Sequence, residues 1–199
     1  MLSKGVVVVF VLMAVLGIAL AAHAAEPKPA TRKTWQLQLG ARYGAELTSH
    51  DYELWQLGYG GMLGRTLDSN IFIGGSFDLY EGEEFSYITG DPNAPIVGGN
   101  YWQALVHVGY DMALSKHWLW RPKVGLGWAT LNVRNCNTLV GNTAECRKTI
   151  RSDTALVPGV ELLFARGVLF GFEARYVMLF DSITIKHAVI GAANLGFHF

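Results

Sequence analysis

Six charged side chains carry most of the chemistry this sequence offers: Arg42, Arg121, Lys123, Glu161, Glu173 and Arg175. Each stands at a polar position in a stretch where polar residues or glycine alternate with apolar ones. Carboxylates and cations gathered in a space of low dielectric can line a narrow gated path, or they can pair and fill it. Filling by ion pairs is the expected outcome. Other groups offer less. His107 and Asp111 share one parity four residues apart, about 13 Å along an extended strand, which is too far for a direct hydrogen bond. No serine is placed beside them by the pattern. His117 and His187 fall in expected connections without fixed partners, so catalysis is not expected. The run EGEE at 81–84, followed by Asp91, lacks the alternate-oxygen spacing of an EF-hand and reads as a solvated loop. Cys136 and Cys146 bracket the segment CNTLVGNTAEC. Two thiols are too few for a structural metal site, and a disulfide restraining an exposed tip is expected instead. Neither a metal nor a cofactor is expected.

The elements that must position these side chains are strands. The clearest is 168–180, VLFGFEARYVMLF. One parity holds Val168, Phe170, Phe172, Ala174, Tyr176, Met178 and Phe180; the other holds Leu169, Gly171, Glu173, Arg175, Val177 and Leu179. A period of two is the spacing of a strand. With 155–164 and the turn at Arg166-Gly167 it forms a hairpin. The same alternation recurs at 35–44, 52–63, 71–80, 102–112, 118–131 and 189–199, giving eight strands of roughly 10 to 13 residues. Pro122 cannot donate to a ladder, so an irregularity is expected there. Loops are expected at 81–100 and at 133–153, the second basic around Arg147, Lys148 and Arg151; the turn at 64–70 and the exit at 114–117 are tighter. Longer connections after the odd strands and tight ones after the even strands suit an antiparallel meander with one elaborate end.

Composition sets the compartment. Lys4 precedes an apolar run over 5–22 and then His23-Ala24-Ala25-Glu26, the pattern of a secretory signal peptide. Cleavage after Ala24 is expected, with Ala25 the alternative, leaving 1–24 as signal, 25–34 as a Pro-containing tether and 35–199 as the folded domain. Acidic and basic residues number 16 each, so removal of Lys4 leaves a charge near −1 and points away from a nucleic-acid partner.

Which face lies inside follows from the two parities. The polar one collects Gln36, Gln38, Arg42, Ser76, Asp78, Gln103, His107, Asp111, Arg121, Lys123, Glu161, Glu173, Arg175 and Asn194, with many glycines. The other is too continuously apolar and aromatic for a wet surface. An eight-stranded barrel has a bore just wide enough for side chains to fill it, with glycines making room for long charged ones. The alternating segments and even strand number are the signature of a transmembrane barrel, and its closure satisfies every backbone hydrogen bond in lipid. Trp35, Trp102, Trp118 and Trp120 fall near strand ends, at the depth aromatic belts occupy.

The export site AHAAE, the late strand GFEARYVMLF and the closing strand GAANLGFHF resemble the small outer-membrane barrels of the OmpA, OmpX and opacity-protein superfamily. The resemblance covers about 35–199. It implies an all-β, eight-stranded antiparallel up-and-down barrel in the outer membrane of a Gram-negative bacterium, with both termini periplasmic and the long loops outside. It implies that Phe197 and Phe199 form the C-terminal signal read by the barrel-assembly machinery. Lipid and lipopolysaccharide are the implied surroundings, an extracellular ligand for the loops is implied without a name, and a monomer is expected. Some relatives are lipid A deacylases, but the His-x-Ser strand motif such an enzyme needs does not occur here. The expected function is envelope integrity or surface interaction, the alternatives being a narrow channel and a lipid A-modifying enzyme.

Overall fold

The alternation at 168–180 is realised as a strand in which buried and exposed residues follow one another along its length. The computed structural model describes residues 35–47, 57–81, 85–86, 96–138, 144–166, 168–180 and 185–199. Among them eight barrel strands follow in chain order: β1 Trp35–Glu46, β2 Leu57–Thr66, β3 Ile71–Glu81, β4 Ile96–Tyr110, β5 Trp118–Thr138, β6 Ala144–Arg166, β7 Val168–Phe180 and β8 Ile185–His198. Two short pieces, Phe85–Ser86 and Met112–Ala113, add to β4 and β5 respectively. Every strand pairs antiparallel with its chain neighbours, and β1 pairs with β8, so the sheet closes. At the closing seam Trp35 and Phe199 exchange reciprocal backbone hydrogen bonds, each 2.9 Å.

The register sets the bore. From Gln36 the partners run through Gly64, Gly74, His107, Gly125 and Val157; the β6–β7 register, fixed by Leu156↔Met178 and Gly159↔Arg175 on either side, carries the path to Val177, and it goes on through Ala188 to return to β1 at Glu46, ten residues further along. Eight strands with that stagger tilt by about 40° and enclose a backbone radius of about 8 Å, the space of side chains and little else. The outer face is apolar and exposed, with Leu39, Tyr43, Val106, Trp128 and Phe172 each more than half accessible. That is the inverse of a water-soluble sheet. The barrel is therefore built to face lipid, with the polar parity inside.

Several boundaries differ from the sequence reading. Within the stretch 133–153 the described residues are strand, not loop: β5 runs to Thr138 and β6 starts at Ala144, and their ladder is continuous from Trp118↔Phe164 to Thr138↔Ala144. Cross-strand pairing kept Asn, Arg and Thr residues extended where their composition suggested a loop. The strands accordingly reach 21 and 23 residues, well beyond the expected length. β4 likewise begins at Ile96, so Gly98 and Gly99 lie in a strand opposite Arg134 and Val133. β2 runs on to Thr66, and the turn narrows to 67–70, where Asn70 adopts a φ of 62°. Asparagine tolerates that left-handed conformation. The irregularity at Pro122 is present. The β4–β5 ladder stops at Gly109↔Lys123 and resumes at Met112↔Trp120, while Asp111 gives its backbone N–H to the Asn70 carbonyl, 2.8 Å away. The signal peptide, its cleavage site and the tether lie outside the described residues, as does most of the acidic loop.

Candidate functional site: a charged network in the bore

The six residues singled out from sequence converge inside the barrel, together with two carboxylates, Asp78 and Asp111, which the sequence placed on the same inner parity and the register brings to their cations. Four cations, Arg42, Arg121, Lys123 and Arg175, meet four anions, Asp78, Asp111, Glu161 and Glu173, and none of these side chains is more than 3% exposed. At the end of the barrel where β1 begins and β8 ends, Arg121 grips Asp111 with two bonds, Nε to Oδ1 at 2.5 Å and Nη2 to Oδ2 at 3.0 Å. Its remaining donors reach Glu161 Oε2 at 3.2 Å and Gln36 Oε1 at 3.0 Å. The guanidinium lies 3.8 Å from the centroid of Phe72, a cation–π contact. Thr66 completes this group by donating to Asp111 Oδ2 at 2.7 Å.

Lys123 links this group to the next, with Nζ 3.2 Å from Glu161 Oε2 and 2.9 Å from Glu173 Oε1. Arg175 holds Glu173 through Nε and through Nη2, the latter at 2.8 Å, and reaches Asp78 Oδ2 at 2.5 Å. Asp78 also accepts from Arg42 Nε at 3.0 Å and from Gln103 Nε2 at 2.9 Å. Arg42 in turn donates to Asn194 Oδ1 at 2.5 Å. Equal numbers of opposite charges, mostly with several partners each, offset the desolvation that makes an isolated buried ion so costly.

Glycines on the inner parity make the space. A Cβ on Gly125 would stand 2.7 Å from His107 Cε1 and 2.8 Å from its Nδ1, and one on Gly64 would strike the Phe72 ring. The opposite half of the bore is different. Tyr80, Tyr101, Leu105, Ala129, Ala155, Val157, Val177, Leu179, Ala188 and Ile190 pack there as a buried apolar cluster. Together the two zones line the interior with buried side chains among the described residues.

Ser76 corrects the expectation that no serine stands by His107: its Oγ lies 2.7 Å from Nε2. Ser76 sits on β3 and His107 on the neighbouring β4, two strands whose pairing only register reveals. The pair is not a catalytic one. A nucleophile's base needs a third group to orient it, and His107 Nδ1 has no partner while the ring is fully buried. His107 and Asp111 are not paired, as expected. His187 does have a partner: it lies in β8 and its Nδ1 is 3.0 Å from the Tyr176 hydroxyl. His117 packs against Phe164, ring centroids 6.0 Å apart. Among the described residues no group of three His, Cys, Asp or Glu is placed to hold a metal. The backbone register sets Cys136 opposite Cys146, and Phe197 and Phe199 are exposed at the seam end.

Comparison with solved structures agrees on the fold. A major outer membrane protein from Thermus thermophilus superimposes with a TM-score of 0.61 at 9% identity, covering 85% of this chain and all of that one. Ail, the attachment invasion locus protein of Yersinia pestis, in complex with the heparin analogue sucrose octasulfate, gives 0.55 at 14% identity over 85% of this chain and 100% of Ail. Neisserial surface protein A gives 0.54 at 9% identity, over 84% and 97% of the respective chains. No curated protein matches the chain. The family model described as the outer membrane protein beta-barrel domain matches residues 10–199. With strand order, closure and an inside-out distribution of polarity already in agreement, the chain belongs to the outer membrane protein beta-barrel family.

Proposed function

We propose that this protein is a non-conducting outer-membrane scaffold that supports envelope integrity and presents its long β5–β6 ribbon for surface interaction. The observation that carries the reading is the interior of the barrel, where eight mutually neutralising charges are buried toward one end and apolar side chains toward the other. With both termini at the periplasmic end, the ribbon projects outward. It carries Arg134, Arg147, Lys148 and Arg151. Guanidinium and ammonium groups suit phosphate and sulfate through charge-assisted hydrogen bonds, so lipopolysaccharide phosphates and sulfated saccharides are the proposed class of surface ligand. The sulfated ligand bound to Ail supports that class. Cys136 and Cys146 form a disulfide that pins the ribbon: directly opposed residues of antiparallel strands have the Cα separation a disulfide requires. Phe197 and Phe199 serve as the signal for barrel assembly, residues 1–24 are the removed signal peptide, and the closed barrel acts as a monomer.

Planar-bilayer recording tests the reading, with folding of the barrel verified by heat-dependent gel mobility. Folded barrels are expected to give no unitary conductance. Reproducible unitary currents that change on Glu173→Gln would overturn the scaffold reading in favour of a channel.

A further inference from the structure

Gln38 is fully buried on the inner face of β1, and neither its Oε1 nor its Nε2 has a protein partner. Glu161 is fully buried as well. Its Oε2 accepts from Arg121 and Lys123, and its Oε1 has no partner. A dry primary amide and a half-satisfied carboxylate in a closed bore are each costly, and buried polar groups of this kind are met by ordered water.

The register places the two groups around one patch of wall. Glu161 Oε1 would lie 3.2 Å from a Cβ on Gly171, and Asn194 Cβ would lie 3.5 Å from the same point. Gly171 is the register partner of Asn194, and Asn194 is the partner of Gly40 on β1. Gln38 is two residues from Gly40 on the same inner parity and is itself opposite Gly196. Gln38 and Asn194 are thus diagonal neighbours on β1 and β8, with Cβ atoms roughly 7–8 Å apart, and Gly171 and Glu161 are diagonal neighbours on β7 and β6, so the two long side chains approach the same region of the bore from either side of Asn194. Gly40, Gly171 and Gly196 put no side chain into this region; Asn194 Oδ1 stands over Gly40, and Leu163 Cδ2 shares the space over Gly171 with Glu161 Oε1.

We infer that Gln38 and Glu161 form a water-binding site inside the bore, in which Gln38 Nε2 donates to a bound water and that water donates to Glu161 Oε1. The site supplies the donor that Arg121 and Lys123 leave unprovided, and it makes water a structural part of the charge network. Neutral, small and able both to donate and to accept, water is the ligand class that fits a site closed to solutes.

The test is the Gln38 side-chain amide resonance of the isotope-labelled wild-type barrel in lipid nanodiscs. A rotating-frame cross-peak to a long-lived water is expected, and its absence overturns the inference. Gln38→Met keeps the size and removes both polar atoms; it is expected to lower the folding equilibrium constant about tenfold by stripping the water of a partner. An equal or more stable Gln38→Met barrel overturns the inference. A direct Gln38–Glu161 bond would also weaken the Met variant but would show no water cross-peak, so that signal separates the two. The wild-type spectrum decides alone if the variant does not fold.

Discussion

Lys123 Nζ lies 2.9 Å from Glu173 Oε1, and this contact joins two ion clusters that would otherwise be separate. On one side stand Asp111, Arg121 and Glu161; on the other, Glu173, Arg175, Asp78 and Arg42. The joined network couples β1, β3, β5, β6 and β7 through the middle of the barrel, in addition to the ladders on its wall.

Removing that link tests the network. Lys123→Met keeps the length of the stem and leaves Glu161 and Glu173 each short of a cation. Stability should fall by about 3–5 kcal/mol, the scale on which a buried charge loses its partner. Urea unfolding of the barrel in lipid, followed by tryptophan fluorescence, measures it.

Glycines inside and outside the barrel should respond differently. Gly125→Ala pushes a methyl group against His107, so a loss of about 1–3 kcal/mol is expected from overpacking. Gly191 is on the outer face, and a Cβ there would meet nothing nearer than the Tyr43 carbonyl at 3.9 Å. Gly191→Ala should therefore change stability by less than about 0.5 kcal/mol. The same unfolding assay compares the two.

Arginine substitutions on the outer face should report depth in the membrane. Phe172 is 59% exposed near the middle of β7, and Ile71 opens β3 at the seam end. Phe172→Arg is expected to cost about 2–4 kcal/mol in lipid, and Ile71→Arg about 0–1 kcal/mol. Equal costs at both positions would contradict the placement of the apolar belt.

The Cys136–Cys146 bridge has a chemical readout. Thiol alkylation of the folded protein should label neither cysteine until a reductant is added, after which mass spectrometry should find both labelled. Reduction should speed proteolysis near the tip of the β5–β6 ribbon while the heat-dependent gel shift of the barrel stays unchanged. Labelling without reductant would contradict the bridge.

Much of the fold was legible because a strand's side chains alternate strictly between its two faces. Glu173 and Arg175 could be placed inside from the thirteen residues of β7 alone. The ribbon was not legible. Asn132, Arg134, Asn135 and Thr138 have the composition of a loop, and only pairing across to 144–150 keeps them extended. Asp78 was visible as an inner residue but not as the partner of Arg175, which lies 97 positions away. Ser76 and His107 were likewise on the right face, with nothing local to bring them together.

Local sequence is enough to place the eight strands, though not the far ends of β5 and β6, and to fix the face of each that turns inward, and therefore an inside-out barrel for a lipid surround. These properties depend on a period of two and on the hydrophobicity of neighbours a few residues apart. Who meets whom in the bore is settled only when the sheet closes. Partners such as Arg42 with Asp78, or Lys123 with Glu173, are chosen by the ten-residue stagger on closure. A stagger different by two residues would keep every side chain on its face and re-pair the charges that meet across the closed sheet, while Glu173 and Arg175, neighbours on one face of β7, would stay together; the parity is local and the register is a property of the closed sheet.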